Sequence, residues 1–355
     1  MRSGLLFVGT YTRDGKSHGI HTFECDRQSG ALHPIAVMQD QDPSWLAFSP
    51  DRRFLFAVSE SKEYNGVSQG SVSSYRINWS TGGLTRLSRQ GTGGGDPCHL
   101  SADPTGNHLV VANHEDGNIS VHEISVDGLL SPLKQLVKPV CKGTSPNQSS
   151  SHPHCVVFDP TGQRVLITDK GIGEILSYQF DDNGALLSNN PPSVKLHSGG
   201  APRHLSFHPS GRYVYVNGEA DMTITAYAYN ALTGTFSQLH YLSTLPHTPN
   251  QKLDSTAQCV VDPLGHFVYV SNRGHDSIAS FAIDQTTGRL EARKHFNTCG
   301  HTPRTFQIDR TGTFLYAANE TSDTIVQFRI NQFSGDLAPT GNVTEIGAPV
   351  CLLFS

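Results

Sequence analysis

Two sets of seven positions carry the residue types with which a protein can hold and turn over a small anion. One set is Ser44, Cys98, His154, Arg203, Ala257, Arg304 and Val350; the other is Tyr11, Glu60, His114, Lys170, Glu219, Arg273 and Glu320. A guanidinium fork matches carboxylate and phosphate oxygens. An imidazole or carboxylate within reach of a water can take its proton. Six of the seven residues in the second set are charged or histidine, although each closes a short, largely apolar run. Structural ion pairs at strand ends would look the same, and for any one residue alone that bland reading weighs equally. Convergence of the whole set on one mouth favours a polar binding site for a small anionic ligand, with Lys170, Arg203, Arg273 and Arg304 as its cations.

What brings these positions together is a repeat. The pattern Pro-x-x-Φ-x-Φ-x-Pro-x-Gly-x-x-Φ-Φ-Φ, with Φ apolar, starts with some variation at Pro43, Pro97, Pro153, Pro202 and Pro303, and is matched from Thr256. Each copy reads as an alternating strand, a tight turn and a strand buried on both faces. A third strand follows with an aromatic or histidine at a fixed slot: Phe23, Tyr75, His122, Tyr178, Tyr227, Phe281 and Phe328. A turn glycine comes next, at Gly30, Gly82, Gly128, Gly184, Gly234, Gly288 and Gly335. Spacings of 47 to 56 residues between slots, with four strands per unit, are the signature of propeller blades.

The strand-turn-strand pattern occurs six times and the slot seven times, because one copy is split. Ala348–Phe354 supplies its first strand and Leu5–Thr10 its second, so blade seven is shared between the two ends. The expectation is all-β: one seven-bladed β-propeller of four-stranded antiparallel blades over residues 1–355. In such a ring the first strand of each blade lines the central channel and the second runs back beside it. The two sets therefore surround one mouth.

Composition bounds the partners. Charged residues are 16% and the net charge is −5, without the clustered basic residues that nucleic acid requires. No apolar stretch approaches a membrane span, and the apolar run near the N-terminus is too short for a signal peptide. Seven scattered cysteines suit neither a disulfide framework nor structural zinc. A cytoplasmic chain, monomeric or weakly dimeric, is expected, and no cofactor is called for. The stretch from Pro139 to Ser151 reads as a polar surface loop.

His152-Pro153-His154 could place two rings on one strand face, but no Asp or Cys stands at ligand spacing, so no metal site is expected. Cys98 next to His99 suggests a nucleophile pair, yet neighbours on a strand point to opposite faces; an inert buried thiol is the expectation. His208 and His266 fall in turns and should be solvated.

Several segments resemble the propeller lactonase family: the cycloisomerase-type 6-phosphogluconolactonases and, more distantly, the carboxy-muconate lactonizing enzymes. They are Gly9-Thr10-Tyr11-Thr12, Ser151-His152-Pro153-His154, Gly200-Ala201-Pro202-Arg203-His204-Leu205-Ser206-Phe207-His208-Pro209, Ser271-Asn272-Arg273-Gly274-His275-Asp276-Ser277-Ile278 and Thr302-Pro303-Arg304. The resemblance spans essentially the whole chain. It implies hydrolysis of a sugar-acid lactone such as 6-phosphoglucono-1,5-lactone, with a catalytic His154, Arg203, Glu219 and Arg273. His152, Arg304, Lys170, Glu320, His114 and Glu60 would be supporting, substrate-binding residues. Two departures stand out: Asn217-Gly218-Glu219 where relatives have Asn-Glu, and Lys170 where an apolar residue is expected. Either Glu219 or His154 could activate water. Rival readings are cyclisation of a muconate and a non-catalytic interaction propeller, which would leave Arg203, Glu219 and Arg273 dispensable.

Overall fold

A strand that is apolar on both faces needs a sheet on either side of it, and a ring of sheets supplies that to every blade. The computed structural model describes residues 4–139, 150–197, 199–250 and 253–355. Among them are 28 strands and no helix, grouped as seven four-stranded antiparallel sheets. Most of the loop expected from Pro139 to Ser151 lies outside the described residues. The inner strands of blades one to seven are Leu46–Phe48, Pro97–Ala102, Pro153–Phe158, Pro202–Phe207, Ser255–Val261, Pro303–Ile308 and Pro349–Phe354. Each inner strand contacts that of the next blade, and the last contacts the first. In blade seven Pro349–Phe354 pairs with Gly4–Thr10, Leu352 opposite Val8. The split repeat thus closes the ring, and the seam leaves no open edge between the chain ends.

The second strands are the core. Phe54–Ser59, Tyr213–Gly218 and Phe314–Asn319 are buried at every residue. One apolar cluster fills each interface between neighbouring blades. Tyr215 and Phe281 join blades four and five; Phe7, Leu55 and Tyr75 join blades seven and one. The aromatic-slot residues are all buried. His208 corrects an expectation: it is buried in its turn, with Nε2 donating to the Gly265 carbonyl of the next blade at 3.0 Å. His266 is exposed.

Two backbone devices shape the ring. In six blades the inner pairing shifts register just after the repeat's first proline, or after Thr256 in blade five. The residues passed over include Cys98, His154, Arg203, Ala257, Arg304 and Val350. Such bulges bend the strand and re-aim a side chain, so the first set of positions turns toward the mouth instead of into a blade interface. At the rim, each outer-hairpin glycine sits left-handed against the preceding blade. Gly335 has φ +73, and a Cβ there would lie 2.5 Å from the Phe267 ring.

Gly335→Ala combines left-handed strain with overpacking. It should cost about 2–4 kcal/mol, read as a lowered urea midpoint at unchanged slope.

Candidate functional site

Four charged side chains from three adjacent blades meet at the mouth. Glu219 closes the second strand of blade four and Lys170 that of blade three; Arg273 ends the second strand of blade five. Arg203 rises from the bulge of blade four. Lys170 Nζ stands 2.6 Å from Glu219 Oε2, with Arg203 Nε at 3.2 Å. Arg273 Nη2 donates to Glu219 Oε1 at 3.0 Å and to the Thr256 carbonyl at 3.2 Å. Arg203 is 3% exposed and donates through Nη1 to the Ala257 carbonyl. Burial pushes the Glu219 carboxyl upward, but Lys170, Arg203 and Arg273 outweigh it and hold the group well below the usual carboxylate range. Burial and the neighbouring Arg273 bring Arg203 down to about 10, against the pull of Glu219. Burial also lowers Lys170, in spite of Glu219.

His154 faces this cluster from the blade-three bulge. Its ring makes no hydrogen bond among the described residues, and Nδ1 is buried without a partner. Burial, then Arg203 and His204, lower its pKa well below the ordinary histidine value, so it is neutral at pH 7. Beneath it lies an aromatic floor across the channel. Trp45 stacks on His99 at 4.0 Å between ring centroids, and His204 packs edge-on against His99 at 5.5 Å and His154 at 5.1 Å.

His99, Cys155 and His204 are close enough to hold a metal ion. However, His99 Nδ1 accepts the Val156 N–H at 3.2 Å, so its proton is on Nε2, which points at Cys155 Sγ 3.4 Å away. A ligand nitrogen needs that lone pair free. His99 and Cys155 therefore read as a hydrogen-bonded pair, with the His204 ring packed edge-on against His99. Cys98 is a separate buried thiol, its Sγ 3.4 Å from the His154 carbonyl and its pKa raised by burial, and it does not meet His99.

The opposite side of the mouth is built on Glu60, from blade one. Tyr11 donates to its Oε1 at 2.8 Å, and Arg304 Nη2 lies 3.5 Å from Oε2. Arg13 lies over the Tyr11 ring at 3.8 Å and Arg304 at 5.0 Å. Glu60 Oε2 and Ser44 Oγ are buried without a hydrogen-bond partner. Between the two sides lies a cavity of about 160 Å³ lined by Glu60, Asp96, Cys98, His114, His154, Lys170, Arg203, Glu219, Arg273 and Arg304. A larger groove of about 650 Å³ lies on the outer rim, near His266 and Phe333, and no comparable charge cluster lines it.

The family model described as "Lactonase, 7-bladed beta-propeller" matches residues 5–354. The chain belongs to this lactonase family. It is 33% identical to the 6-phosphogluconolactonase of Bacillus subtilis over 85% of this chain and 84% of that one. It is 31% identical to a 6-phosphogluconolactonase of Formosa agariphila over 86% of each. The structure of the periplasmic gluconolactonase of Pseudomonas aeruginosa superposes with a TM-score of 0.92 at 30% identity, covering 99% of this chain and 98% of that one.

In this lactonase eight of the ten residues singled out by sequence line one cavity: His154, Arg203, Glu219, Arg273, Arg304, Lys170, His114 and Glu60. His152 and Glu320 are not among its lining residues. His152 is tied by Nδ1 to the His114 carbonyl at 2.8 Å and by Nε2 to Ser150. Glu320 exerts its charge on Arg304 and Tyr11. Sequence reasoning missed Asp96, Arg13 and the Trp45 floor; Ser44 and Tyr11 stood in the two sets of positions without being assigned to the site. Asp96 directly precedes the repeat proline, one position before the first set.

The neutral histidines couple acid to unfolding. Burial lowers His99 to about 3 and His114 to about 4, and His154 and His204 fall well below normal. Below about pH 6.5 the unfolded chain binds protons that the native one refuses. Stability should therefore be whole above pH 6.5 and fall by about 1.4 kcal/mol per pH unit for each such histidine on the way to pH 4. Urea titrations at pH 7.5, 6 and 5 would read this slope, and His114→Gln should flatten it.

Proposed function

We propose that this lactonase hydrolyses 6-phosphoglucono-1,5-lactone, with His154 as the base and Arg203 and Arg273 as the oxyanion clamp. The observation that carries the reading is the division of labour at the mouth: one carboxylate saturated by three cations beside one neutral imidazole with no hydrogen-bond partner. Glu219 is engaged by three cations, whereas the neutral imidazole has a ring nitrogen with no hydrogen-bond partner. The names of the Bacillus and Formosa relatives support the substrate.

In this reading His154 takes a proton from water as the water attacks C1. The carbonyl electrons move onto oxygen, facing the guanidinium groups over a dry floor where their charge counts most. Collapse breaks the bond from C1 to the ring oxygen, which receives the proton back from His154. Glu219 keeps Lys170, Arg203 and Arg273 close together despite their mutual repulsion, and Lys170 and Arg304 serve the anionic substrate. A cytoplasmic setting, where phosphorylated sugars are retained, completes the reading, with a monomer or weak dimer as the working form.

After subtraction of spontaneous ring opening, His154→Ala should lose about 10²–10⁴-fold in kcat and Arg273→Lys about 10²-fold. The acid limb of kcat/KM in the wild type should lie below the ordinary histidine value of about 6.5. If Glu219→Gln abolishes that limb while His154→Ala keeps it, the base is Glu219 and the assignment to His154 is wrong.

A further inference from the structure

The charge around the mouth is not spread evenly. On the side of blades three to five, Lys170, Arg203 and Arg273 share the single carboxylate of Glu219, which leaves two positive charges in excess. The facing side has carboxylates for its cations: Arg304 and Arg13 stand against Glu60, Arg13 also against Asp42, and Asp96, just before the inner strand of blade two, is met by Lys62 at 3.6 Å. Buried polar atoms without a well-formed hydrogen bond occur on both sides: Arg203 Nε, Arg273 Nε and Glu219 Oε2 among the cations, and a carboxylate oxygen and a hydroxyl on the facing side. Glu60 Oε1 is taken by Tyr11. Its Oε2 is buried and unbonded, because Arg304 at 3.5 Å is too far for a hydrogen bond. Ser44 Oγ is likewise buried without a well-formed hydrogen bond, although it lies near enough to Glu60 to help hold that carboxylate ionised. Glu60 is held ionised by Arg304, Ser44 and Tyr11 against the cost of burial, so it can only accept hydrogen bonds.

A 1,5-lactone of a hexonic acid is polar in the same direction. C1 and C5 both bond the ring oxygen, so the carbonyl and any group on C6 lie along one edge. The hydroxyls of C2, C3 and C4 occupy the opposite edge. Laid across the mouth, the carbonyl and an anionic C6 substituent meet the cationic side, and the hydroxyl edge meets Glu60 and Ser44.

We propose that Glu60, fixed by Tyr11 and assisted by Ser44, is a hydroxyl-recognition subsite that admits polyhydroxylated lactones in one orientation, with Lys170 setting the preference for an anionic substituent at C6. This rests on the proposed lactonase reading of the same mouth. A muconate, with carboxylates and no hydroxyls, would set a carboxylate against Glu60 and leave Ser44 unmet. Orphaned buried polar groups are costly, and donors from the sugar would remove two of them. Arg13 and Arg304 both lie close to the Tyr11 ring, whose hydroxyl fixes Glu60.

The test compares kcat/KM on three lactones: δ-valerolactone, which has no hydroxyls, glucono-1,5-lactone and its 6-phosphate. Glu60→Gln should lower the glucono-to-valero ratio at least tenfold and leave the phosphate-to-glucono ratio within twofold. Lys170→Met should do the reverse. Ser44→Ala, the removal of one atom, should lower the first ratio about threefold and carries the test if Glu60→Gln does not fold. Equal losses on all three lactones, or none, in both the Glu60 and Ser44 variants would overturn the subsite. A wild type inactive on the phosphate, with the first ratio still responding, would overturn the Lys170 preference and the phosphorylated substrate while the subsite stands.

Discussion

The Glu219 carboxylate is the counter-ion on which the mouth depends. Lys170, Arg203 and Arg273 come from three consecutive blades, and ring geometry alone would press their like charges together. At an effective dielectric of about 20, two unit charges 4 Å apart interact by about 4 kcal/mol. One carboxylate attracting three cations offsets repulsions of that order. Even so, Lys170 and Arg203 are both pulled below their normal values, with burial the largest cause. Buried ion clusters are seldom better for stability than apolar packing of the same volume. A cluster retained at such cost, beside orphaned polar atoms, is explained more readily by the ligand it awaits than by the fold it sits in.

The floor beneath is the second condition. A propeller's inner strands diverge from its axis, and what fills the gap decides whether the mouth is a cup or one end of a tunnel. Here Trp45, His99 and His204, from blades one, two and four, pack against one another beneath the mouth. His99 and His204 are neutral, so they add no charge below the cations. A dry, uncharged floor strengthens the field of Arg203 at a developing oxyanion. It also lowers His154, so the group that has to accept a proton is available to do so near neutral pH.

The ring, its count and its split blade were legible because packing imposes a period on the sequence. Each second strand must be apolar on both faces, and each outer hairpin must turn at a glycine close to its neighbour. Eight residues of the cavity were legible for a related reason: equivalent slots reach equivalent places, so departures from the apolar norm show up when the slots are compared. What could not be read is where the backbone leaves its period. The bulge after the repeat proline defeats strict alternation. It sends Cys98 to the mouth and leaves His99 against Cys155 of the next blade, a contact between residues 56 positions apart. His152 shares its neighbour's residue type but not its register. It precedes the proline, and backbone groups hold it away from the cavity. His208 stands in a turn where blades two, three, five and six have Asp103, Asp159, Asp262 and Asp309, and its ring reaches the Gly265 carbonyl instead of solvent.

A ring of near-identical blades points seven similar backbones at one axis, so the scaffold by itself cannot distinguish one end of a ligand from the other. Direction has to come from side chains. In this chain the cations cluster on consecutive blades, and the unpaired acceptor and hydroxyl lie across from them, Glu60 and Ser44 both contributed by blade one. Consecutive placement matters because neighbouring inner strands touch, whereas facing strands are separated by the cavity. Charges on adjacent blades can share a counter-ion; charges on opposite blades can meet only through a ligand. The mouth therefore pairs its charges on each side but leaves polar atoms facing the space between, which is the condition under which binding energy goes into orienting a substrate rather than into holding the protein together.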